Sequence, residues 1–451
     1  MRGRVAAAFS RNPRDRAIAA LAVPALGTLA MDPLVSIIDT AWVARLGTVP
    51  LAALAIASAV FAAVFSIFNF VHMTITPLVA GEVGRRDLDR AGAITKGALA
   101  VAAGIGVVVA IVAIAASDVI VGVFDAEPDV AAAATDYLQI RFLALPAMLV
   151  AMVGHGVYRG HSDTRTPLLV ALGMNLVNIV LDPVLIFGFD LGVAGAAAAT
   201  VVAQVVAAMW FLILILGTQR DRLGTRAPVR TLESLGISRI LAAGWPMMVR
   251  SAALLMSLTV ITIAASRIGT VEVAAHQIAL QVWLFLAFVL DAFAVAAQAM
   301  VGTDLGAGDR VSARSIADRL LVLGLAAGLI LSVALAITAP LVPQFFSAEP
   351  AVEADLALIY PFVVVLQPLT ALVYVWDGVG IGASAFGYLA VSMVIAGVCT
   401  VGALALFGST LVGVWVAVTV LTLSRLLTLV AWHVRGPLAP ARDPSPASPG
   451  A

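Results

Sequence analysis

Acids inside apolar runs are the residues of this sequence best suited to chemistry. Asp39 lies near the centre of PLVSIIDTAWVARLG (33–47), and Asp32 precedes it by two helical turns. Insertion scales put an Asp at the middle of a membrane helix at roughly 2.5–3.5 kcal/mol, so an acid kept there is functional by default. Burial and a neighbouring like charge both disfavour the ionised form, so such a group can bind and release a proton.

The first apolar run would present these acids on one face of a helix, together with two hydroxyl groups. At 100° per residue the polar residues fall within about 80° of one another. Pro24 can bend this helix, and so can Pro33. The members of the stripe are Thr28, Asp32, Ser36 and Asp39.

Three later apolar runs carry further polar residues that would complete the site. The motif NLVNIVLDP places three of them on one helical face, directly before a proline that loosens the backbone. The residues are Asn175, Asn178 and Asp182 in the fifth run, Thr200 in the sixth, and Tyr137, Arg141 and His155 on one face of the fourth.

We expect these side chains to meet in a hydrated cavity, where Asp39 and Asp182 exchange a proton. Alternatively, the oxygen atoms of Asp39, Asn178, Asp182 and Thr200 would hold Na⁺. The structural alternative is that the polar residues only bind helices together. A proton site and a sodium site both work without a resident cofactor or metal. We therefore expect no cofactor, and either H⁺ or Na⁺ as the coupling ion.

Composition indicates an integral membrane protein. The 451 residues are 62% hydrophobic and 12% charged, with a mean hydropathy of +1.07, whereas soluble domains are about 45–50% apolar and about 25% charged. The single cysteine, Cys399, excludes an intrachain disulfide. The sequence has no HExxH-type constellation and no P-loop motif, so we expect neither an enzyme nor a pump that binds ATP. We also expect no nucleic-acid partner.

Twelve segments are long enough to cross about 30 Å of hydrocarbon, and lipid requires them to be helices. Basic loops alternate with acidic ones, which places both termini in the cytoplasm of a multi-pass protein of the cell (inner) membrane. The predicted spans are 17–44, 51–80, 94–117, 131–156, 166–189, 194–217, 239–266, 273–302, 316–338, 354–378, 386–407 and 411–433.

An internal repeat divides these spans into two sets of six. One constant shift along the chain brings ARLGTVPLAALAIA (44–57) onto SRIGTVEVAAHQIA (266–279), and FDAEPDV (124–130) onto FSAEPAV (346–352). Parallel repeats of this kind recur in secondary transporters, with the substrate site between the halves. The expected division is a cytoplasmic segment 1–16, an N-lobe 17–217, a linker 218–238, a C-lobe 239–435 and a disordered tail 436–451.

The second half has its own intramembrane acids at positions that do not repeat those of the first. Asp291 aligns with Asn69, and Asp377 with His155, whereas Asp39 aligns with Ile261. Either acid would serve as a second ion or substrate site, or as a link between helices.

At these residues the chain resembles the multidrug and toxic compound extrusion (MATE) family. MDPLVSIIDTAWVARLG is similar to the family's first-span pattern, and LDAFAVAAQAMVGTDLGAGD and WDGVGIGA resemble the branch typified by DNA-damage-inducible protein F. The resemblance implies an all-α membrane protein with twelve transmembrane helices in two pseudo-symmetric six-helix lobes, V-shaped when open. It also implies export of lipophilic or cationic drugs and toxic organic compounds in exchange for H⁺ or Na⁺.

The resemblance also implies roles for particular residues. The family's cation site carries over to Asp39, Asn178, Asp182 and Thr200, the family proline linked with helix bending to Pro24, and a cavity tyrosine to Tyr137. His155 departs from the family pattern and would add a titratable group near the site, which favours H⁺.

We therefore expect a monomeric antiporter that works by alternating access, with a small organic cation and membrane lipid as its partners. A lipid-linked oligosaccharide flippase of the same superfamily is the alternative. It would need a strongly cationic cavity for pyrophosphate, and within the spans only Arg141 and Arg250 are candidates.

Overall fold

A computed structural model describes residues 12–228, 235–342, 349–436 and 438, with the side chain of Asp32 outside the described set. In these ranges, eleven helical runs are long and apolar enough to cross a membrane, and one bent pair of helices raises the number to as many as twelve. The predicted all-α membrane fold is confirmed.

The described part of the amino-terminal half contains nine helices. Two π-helical turns, 184–188 and 214–218, extend the last two of them. The helices are α1 (Pro13–Val43), α2 (Thr48–Phe68), α3 (Phe70–Gly84), α4 (Leu88–Ala115), α5 (Ser117–Gly122), α6 (Pro128–Phe142), α7 (Leu145–Gly160), α8 (Arg165–Pro183) and α9 (Gly192–Ile213).

The carboxy-terminal half is more regular, with one unbroken helix for each predicted span. Among its helices, α11 and α13 pack most extensively on each other. The helices are α10 (Ile237–Ile268), α11 (Thr270–Gly306), α12 (Arg310–Thr338), α13 (Pro350–Gly382), α14 (Phe386–Phe407) and α15 (Leu411–Arg435).

The helix ends reproduce the internal repeat. Asp87 caps α4 and Asp309 caps α12, in each case by accepting from the backbone N–H three residues further on, at 3.0 and 2.8 Å. Ser162 and Ser384, which follow α7 and α13, both have a left-handed φ, of 57° and 55°. The members of each pair are related by the same shift as the repeated sequence segments, so the repeat extends to backbone detail.

The two halves differ where the amino-terminal half breaks its helices. Asn69 separates α2 from α3, whereas its counterpart Asp291 lies inside the continuous α11. The fourth predicted span is the bent pair, in which α6 and α7 meet at 49°, whereas the corresponding α13 is one helix. These breaks change which side chains of the second and fourth spans share a face.

Buried apolar side chains fill the interior of each half. The largest fully buried groups include Phe142, Tyr158 and Phe211 in the amino-terminal half and Trp415 in the other. A third cluster joins α1, through Ile18, to buried alanines of α11 and to α12 and α15. Packing therefore connects the halves as well as filling them.

The two halves contact each other closely at the end of the molecule that carries the basic loops. A Cβ atom on Gly84 of α3 would lie 2.0 Å from the carbonyl oxygen of Thr303 in α11, so only glycine permits this approach of the backbones. Glu82, on the same turn of α3, is buried and pairs with Arg239 of α10 at 2.7 Å.

The edges of the predicted divisions are only partly described. Asn12 and Asp15 form a capping box that starts α1 at Pro13 rather than at residue 17, and Asp15 pairs with Arg319 of α12 at 2.6 Å. Residues 1–11, residues 229–234 of the predicted linker, and residues 437 and 439–451 of the predicted disordered tail lie outside the described residues.

Candidate functional site

A cavity of about 380 Å³ lies within the amino-terminal half, among α1, α2, α6, α8 and α9. Its polar lining includes most of the residues that the sequence predicts there, with Gln204 and two further serines. The predicted residues in the lining are Ser36, Asp39, Tyr137, Arg141, Asn175, Asn178 and Thr200.

Asp39 of α1 and Asp182 of α8 bring their carboxyl groups within hydrogen-bonding range of each other at this cavity. Asp182 is fully buried, and Asp39 Oδ1 and Asp182 Oδ2 accept from no donor among the described residues. Two carboxylates offer only acceptors, so a direct hydrogen bond between them needs a proton on one of them. The arrangement can therefore hold and release a proton.

Asn178 positions the acid pair from one turn away on α8. Its Nδ2 lies 3.4 Å from Asp182 Oδ1 and 3.4 Å from the hydroxyl oxygen of Thr200 on α9. The Thr200 hydroxyl in turn donates to the carbonyl of Ala196 at 2.9 Å. Asn178, Asp182 and Thr200 thus form the connected polar group that their spacing predicts, with Asp39 facing it.

Arg141 of α6 contributes a cation to the same cavity. Its Nη1 donates to Gln204 Oε1 of α9 at 3.1 Å, and its guanidinium carbon lies 3.9 Å from the centre of the Phe61 ring. Tyr137, one turn earlier on α6, shares a side-chain hydrogen bond with it. The lining therefore includes the Asp39 carboxyl group and one fixed positive charge, with the buried Asp182 carboxyl group beside Asp39.

His155 is not brought to this cavity. The 49° bend between α6 and α7 breaks the helical phase that would place it on one face with Tyr137 and Arg141. Its ring packs edge-on against Phe211 instead, at 5.1 Å between ring centres, and its charged neighbour is Arg159. The lining of the cavity among the described residues therefore does not include His155, where the sequence predicts a titratable group.

Two further predicted positions of α1, Pro24 and Thr28, contact each other. Pro24 lies inside the continuous helix, where its carbonyl accepts from the Thr28 hydroxyl at 3.1 Å. Asp32 lies on α1, but its side chain is outside the described residues.

Asp377 of α13 lies in a buried charge cluster of the carboxy-terminal half. It accepts from Arg250 of α10 at 2.8 Å and from Arg425 of α15. All three side chains are at least nine-tenths buried. The carboxylate is thus neutralised by two guanidinium groups, and the contacts fit the helix-linking alternative for this acid.

Asp291 of α11 lies near this cluster but forms no ion pair with it among the described residues. Its electrostatic neighbours are Arg250 and, across the contact between the two halves, Arg159 of α7. Arg159 is buried, and its Nη1 has no hydrogen-bond partner among the described residues. Arg159 lies in the last turn of α7.

Sequence reasoning missed Arg425 and Gln204. Arg425 lies inside the apolar α15, whose other arginine, Arg435, ends the helix, so the rule that identifies Asp377 as unusual also identifies Arg425. Gln204 lies one turn after Thr200 on α9, on the face that turns towards α6 and α8.

A comparison with protein-family models decides the family. The model described as MatE matches residues 24–184 and 246–408. The chain belongs to the multidrug and toxic compound extrusion (MATE) family. The starts of the two matched segments, at residues 24 and 246, are related by the shift of the internal repeat.

Relatives of this MATE chain include proteins of plants and bacteria. It is 33% identical to Protein DETOXIFICATION 43 of Arabidopsis thaliana, over 95% of this chain and 92% of the relative. It is 28% identical to DNA damage-inducible protein F of Escherichia coli (strain K12), over 65% of this chain and 64% of that protein. The resemblance seen in the sequence is confirmed, and the chain is a MATE-family efflux transporter with many spans.

Solved structures show the same fold. One is described as the outward-facing conformation of a multidrug resistance MATE family transporter of the MOP superfamily. It is similar to this chain with a TM-score of 0.85 and 21% identity, covering 94% of this chain and 96% of that one. Two others are described as MATE in the bent and in the straight conformation, with TM-scores of 0.84 and 0.83.

Proposed function

We propose that this MATE transporter is a proton-coupled antiporter that exports lipophilic organic cations by alternating access. The observation that carries the proposal is the approach of Asp39 to Asp182, because a hydrogen bond between two carboxyl groups needs a proton on one of them. Since Asn178 and Thr200 hold the Asp182 side of the pair, we assign coupling to these four residues.

The mechanism uses the removal of a buried charge. When the N-lobe cavity is open to the outside, the acid pair takes up a proton, which relaxes the repulsion between its carboxylates. Helix α1 carries Asp39 and contains Pro24 in its first half, so it bends when that repulsion changes, and the altered cavity releases substrate. When the cavity faces the cytoplasm the proton leaves, and substrate binds again.

The energy of one proton is sufficient for export. With about 100 mV of membrane potential and about one pH unit, it supplies about 3.7 kcal/mol, enough for a roughly 500-fold gradient of a neutral solute. Exchange of one proton for one monovalent organic cation moves no net charge, so the pH unit alone supports a roughly tenfold gradient of such a cation. A single acid pair therefore suffices for coupling. Na⁺ is the alternative coupling ion, since the same oxygen atoms could hold it.

An apolar cavity supports a lipophilic substrate. It has about 380 Å³ and lies between the two halves, with a lining that is almost entirely apolar or aromatic. Phe70 of α3 and Trp245 of α10 face it from opposite halves, and aromatic faces attract organic cations. A flippase for a pyrophosphate-linked lipid needs uncompensated arginines, and two of the buried arginines, Arg250 and Arg425, are paired with Asp377.

We also propose the orientation and the location. The loop with Arg85, Arg86 and Arg90 lies at the end where the two halves are in contact. The positive-inside rule places that end in the cytoplasm, with both termini on the same side of the cell (inner) membrane. The transporter would then be closed towards the cytoplasm and work as a monomer surrounded by lipid.

Transport by purified protein in liposomes tests the proposal. A fluorescent organic cation is followed under an imposed pH gradient with equal Na⁺, and under an imposed Na⁺ gradient with equal pH. We expect export driven by the pH gradient and lost in Asp39→Asn. Full transport by a well-folded Asp39→Asn protein, or none under either gradient, would refute it.

A further inference from the structure

The charge of Arg141 is held in the N-lobe cavity by neutral partners. Its side chain is buried, with 8% exposed, and its contacts come from three different helices. Phe61 of α2 lies under the guanidinium group, Gln204 of α9 accepts from it and Tyr137 of α6 bonds to it. No carboxylate lies within ion-pair distance of Arg141 among the described residues.

The positive charge of Arg141 is balanced only by the acid pair on the other side of the cavity. The titratable groups that face Arg141 are Asp39 on α1, with Asp182 of α8 behind it, and Tyr137 on its own helix. A buried guanidinium group without a counter-charge is costly, so the acid pair and Arg141 are electrostatically one unit. With one proton on the pair, this unit has no net charge.

We propose that Arg141 is a tethered counter-cation that keeps Na⁺ out of the N-lobe acid pair and makes the pair selective for protons. This rests on the proposed function of the pair as the coupling site. The guanidinium group supplies the positive charge that a bound metal cation would otherwise supply. Arg141 is thus a positioning residue for ion selectivity, because it acts on the acid pair across the cavity and does not bind the ion.

The selectivity follows from what each ion brings into the cavity. A bound proton forms a neutral carboxyl group, and the remaining carboxylate is balanced by Arg141. A bound Na⁺ keeps its full charge and faces the guanidinium group in a region of low dielectric constant, where like charges repel strongly. Removing the charge of Arg141 leaves two carboxylates uncompensated, which is the electrostatic setting that a sodium site needs.

The matched pair Arg141→Gln and Arg141→Lys separates charge from shape. Thermal unfolding of the purified full chain is measured in NaCl against choline chloride, and cation transport in liposomes under a Na⁺ gradient at equal pH. We expect no specific effect of Na⁺ on the wild type or on Arg141→Lys. In Arg141→Gln, Na⁺ should raise the unfolding temperature and drive transport, with an affinity at least about tenfold higher than in the wild type.

Several outcomes would overturn the inference. They are a Na⁺ response in the wild type, an Arg141→Gln protein as insensitive to Na⁺ as the wild type, or an Arg141→Lys protein that gains the same response as the Gln variant. If Arg141→Gln does not fold, Arg141→Met provides the same test, because it keeps the unbranched apolar stem of the side chain without the charge.

The inference and the proposed function fail differently. If the acid pair is not the coupling site, Asp39→Asn transports normally whatever Arg141 does. If only the inference is wrong, the wild type is driven by a pH gradient and needs Asp39, while replacing Arg141 leaves the Na⁺ response unchanged.

Discussion

Arg250 donates a hydrogen bond of 2.8 Å to Asp377, and both side chains are more than nine-tenths buried. Arg425 binds the same carboxylate from a third helix. Since breaking such a cluster leaves unpaired buried charges, we expect Asp377→Ala to lower the free energy of unfolding by about 3–5 kcal/mol. Thermal unfolding of the purified protein, followed by tryptophan fluorescence, measures the loss.

Two further variants show whether charge is the cause. Glu353→Ala removes an exposed acid from the same helix, so its effect should stay within about 0.5 kcal/mol. Replacing the whole cluster by apolar residues, as Asp377→Leu with Arg250→Met and Arg425→Met, should restore most of the stability. An Asp377→Ala protein that unfolds at the wild-type temperature would contradict the assignment.

The acid pair should be needed for transport but not for folding. Asp39→Asn and Asp182→Asn each remove a group that binds the proton while keeping its size, so we expect pH-driven export to fall at least about tenfold. Asp190→Asn is the matched control, since this acid is exposed beyond the end of α8 and its extension. Equal transport by the three variants would remove the pair from the coupling mechanism.

The sequence predicts the spans well because a segment that crosses lipid must be apolar, about 20 residues long and helical. The eleventh predicted span, 386–407, has the bounds of α14, and the shift of the internal repeat appears again in the helix caps at Asp87 and Asp309. Periodicity within one helix also places Asn178 and Asp182 together. Their approach to Asp39 follows because each polar stripe must turn away from lipid.

Helical periodicity does not predict the position of a side chain correctly where the helix is broken or where its end is uncertain. The 49° bend between α6 and α7 moves His155 away from the cavity, although Pro146 lies near that bend in the sequence. The buried position of Arg159 is equally hard to predict, because this arginine lies one residue before the end of α7. The pairing of Arg425 with Asp377 depends on how α13 and α15 pack, which spacing along the chain does not contain.

The loop between α7 and α8 should lose stability in acid through Asp163. Burial raises the pKa of its carboxyl, but hydrogen bonds from Thr166 and from Arg222 outweigh it, so the pKa lies below its usual range. A lowered folded-state pKa gives stability that is fully present above the unfolded-state value, about 3.9, and is lost as the pH falls through the folded-state value.

The variant Asp163→Asn tests this prediction. Its unfolding temperature should be below that of the wild type at neutral pH, and the two should converge as the pH falls below about 4. Asp221→Asn is the control, because Asp221 is largely exposed and pairs with an exposed Arg226. A difference between wild type and Asp163→Asn that stays constant down to low pH would exclude the ionic contribution.

The ion pair between Glu82 of α3 and Arg239 of α10 should hold the basic end of the transporter closed. It joins the two halves at 2.7 Å, and Glu82 is 1% exposed although its partner is partly in solvent. Hydrogen bonds to charged groups contribute about 1.5–3 kcal/mol, so Glu82→Gln should raise the ratio of open to closed molecules at this end by about tenfold or more. Distances between spin labels on the loops after α3 and α11, in a Cys399→Ser background, measure that ratio. Asp89→Asn changes an exposed acid on the neighbouring α4 and should leave the distances unchanged. If Glu82→Gln keeps the closed distance of the wild type, backbone packing at Gly84 alone holds this end closed.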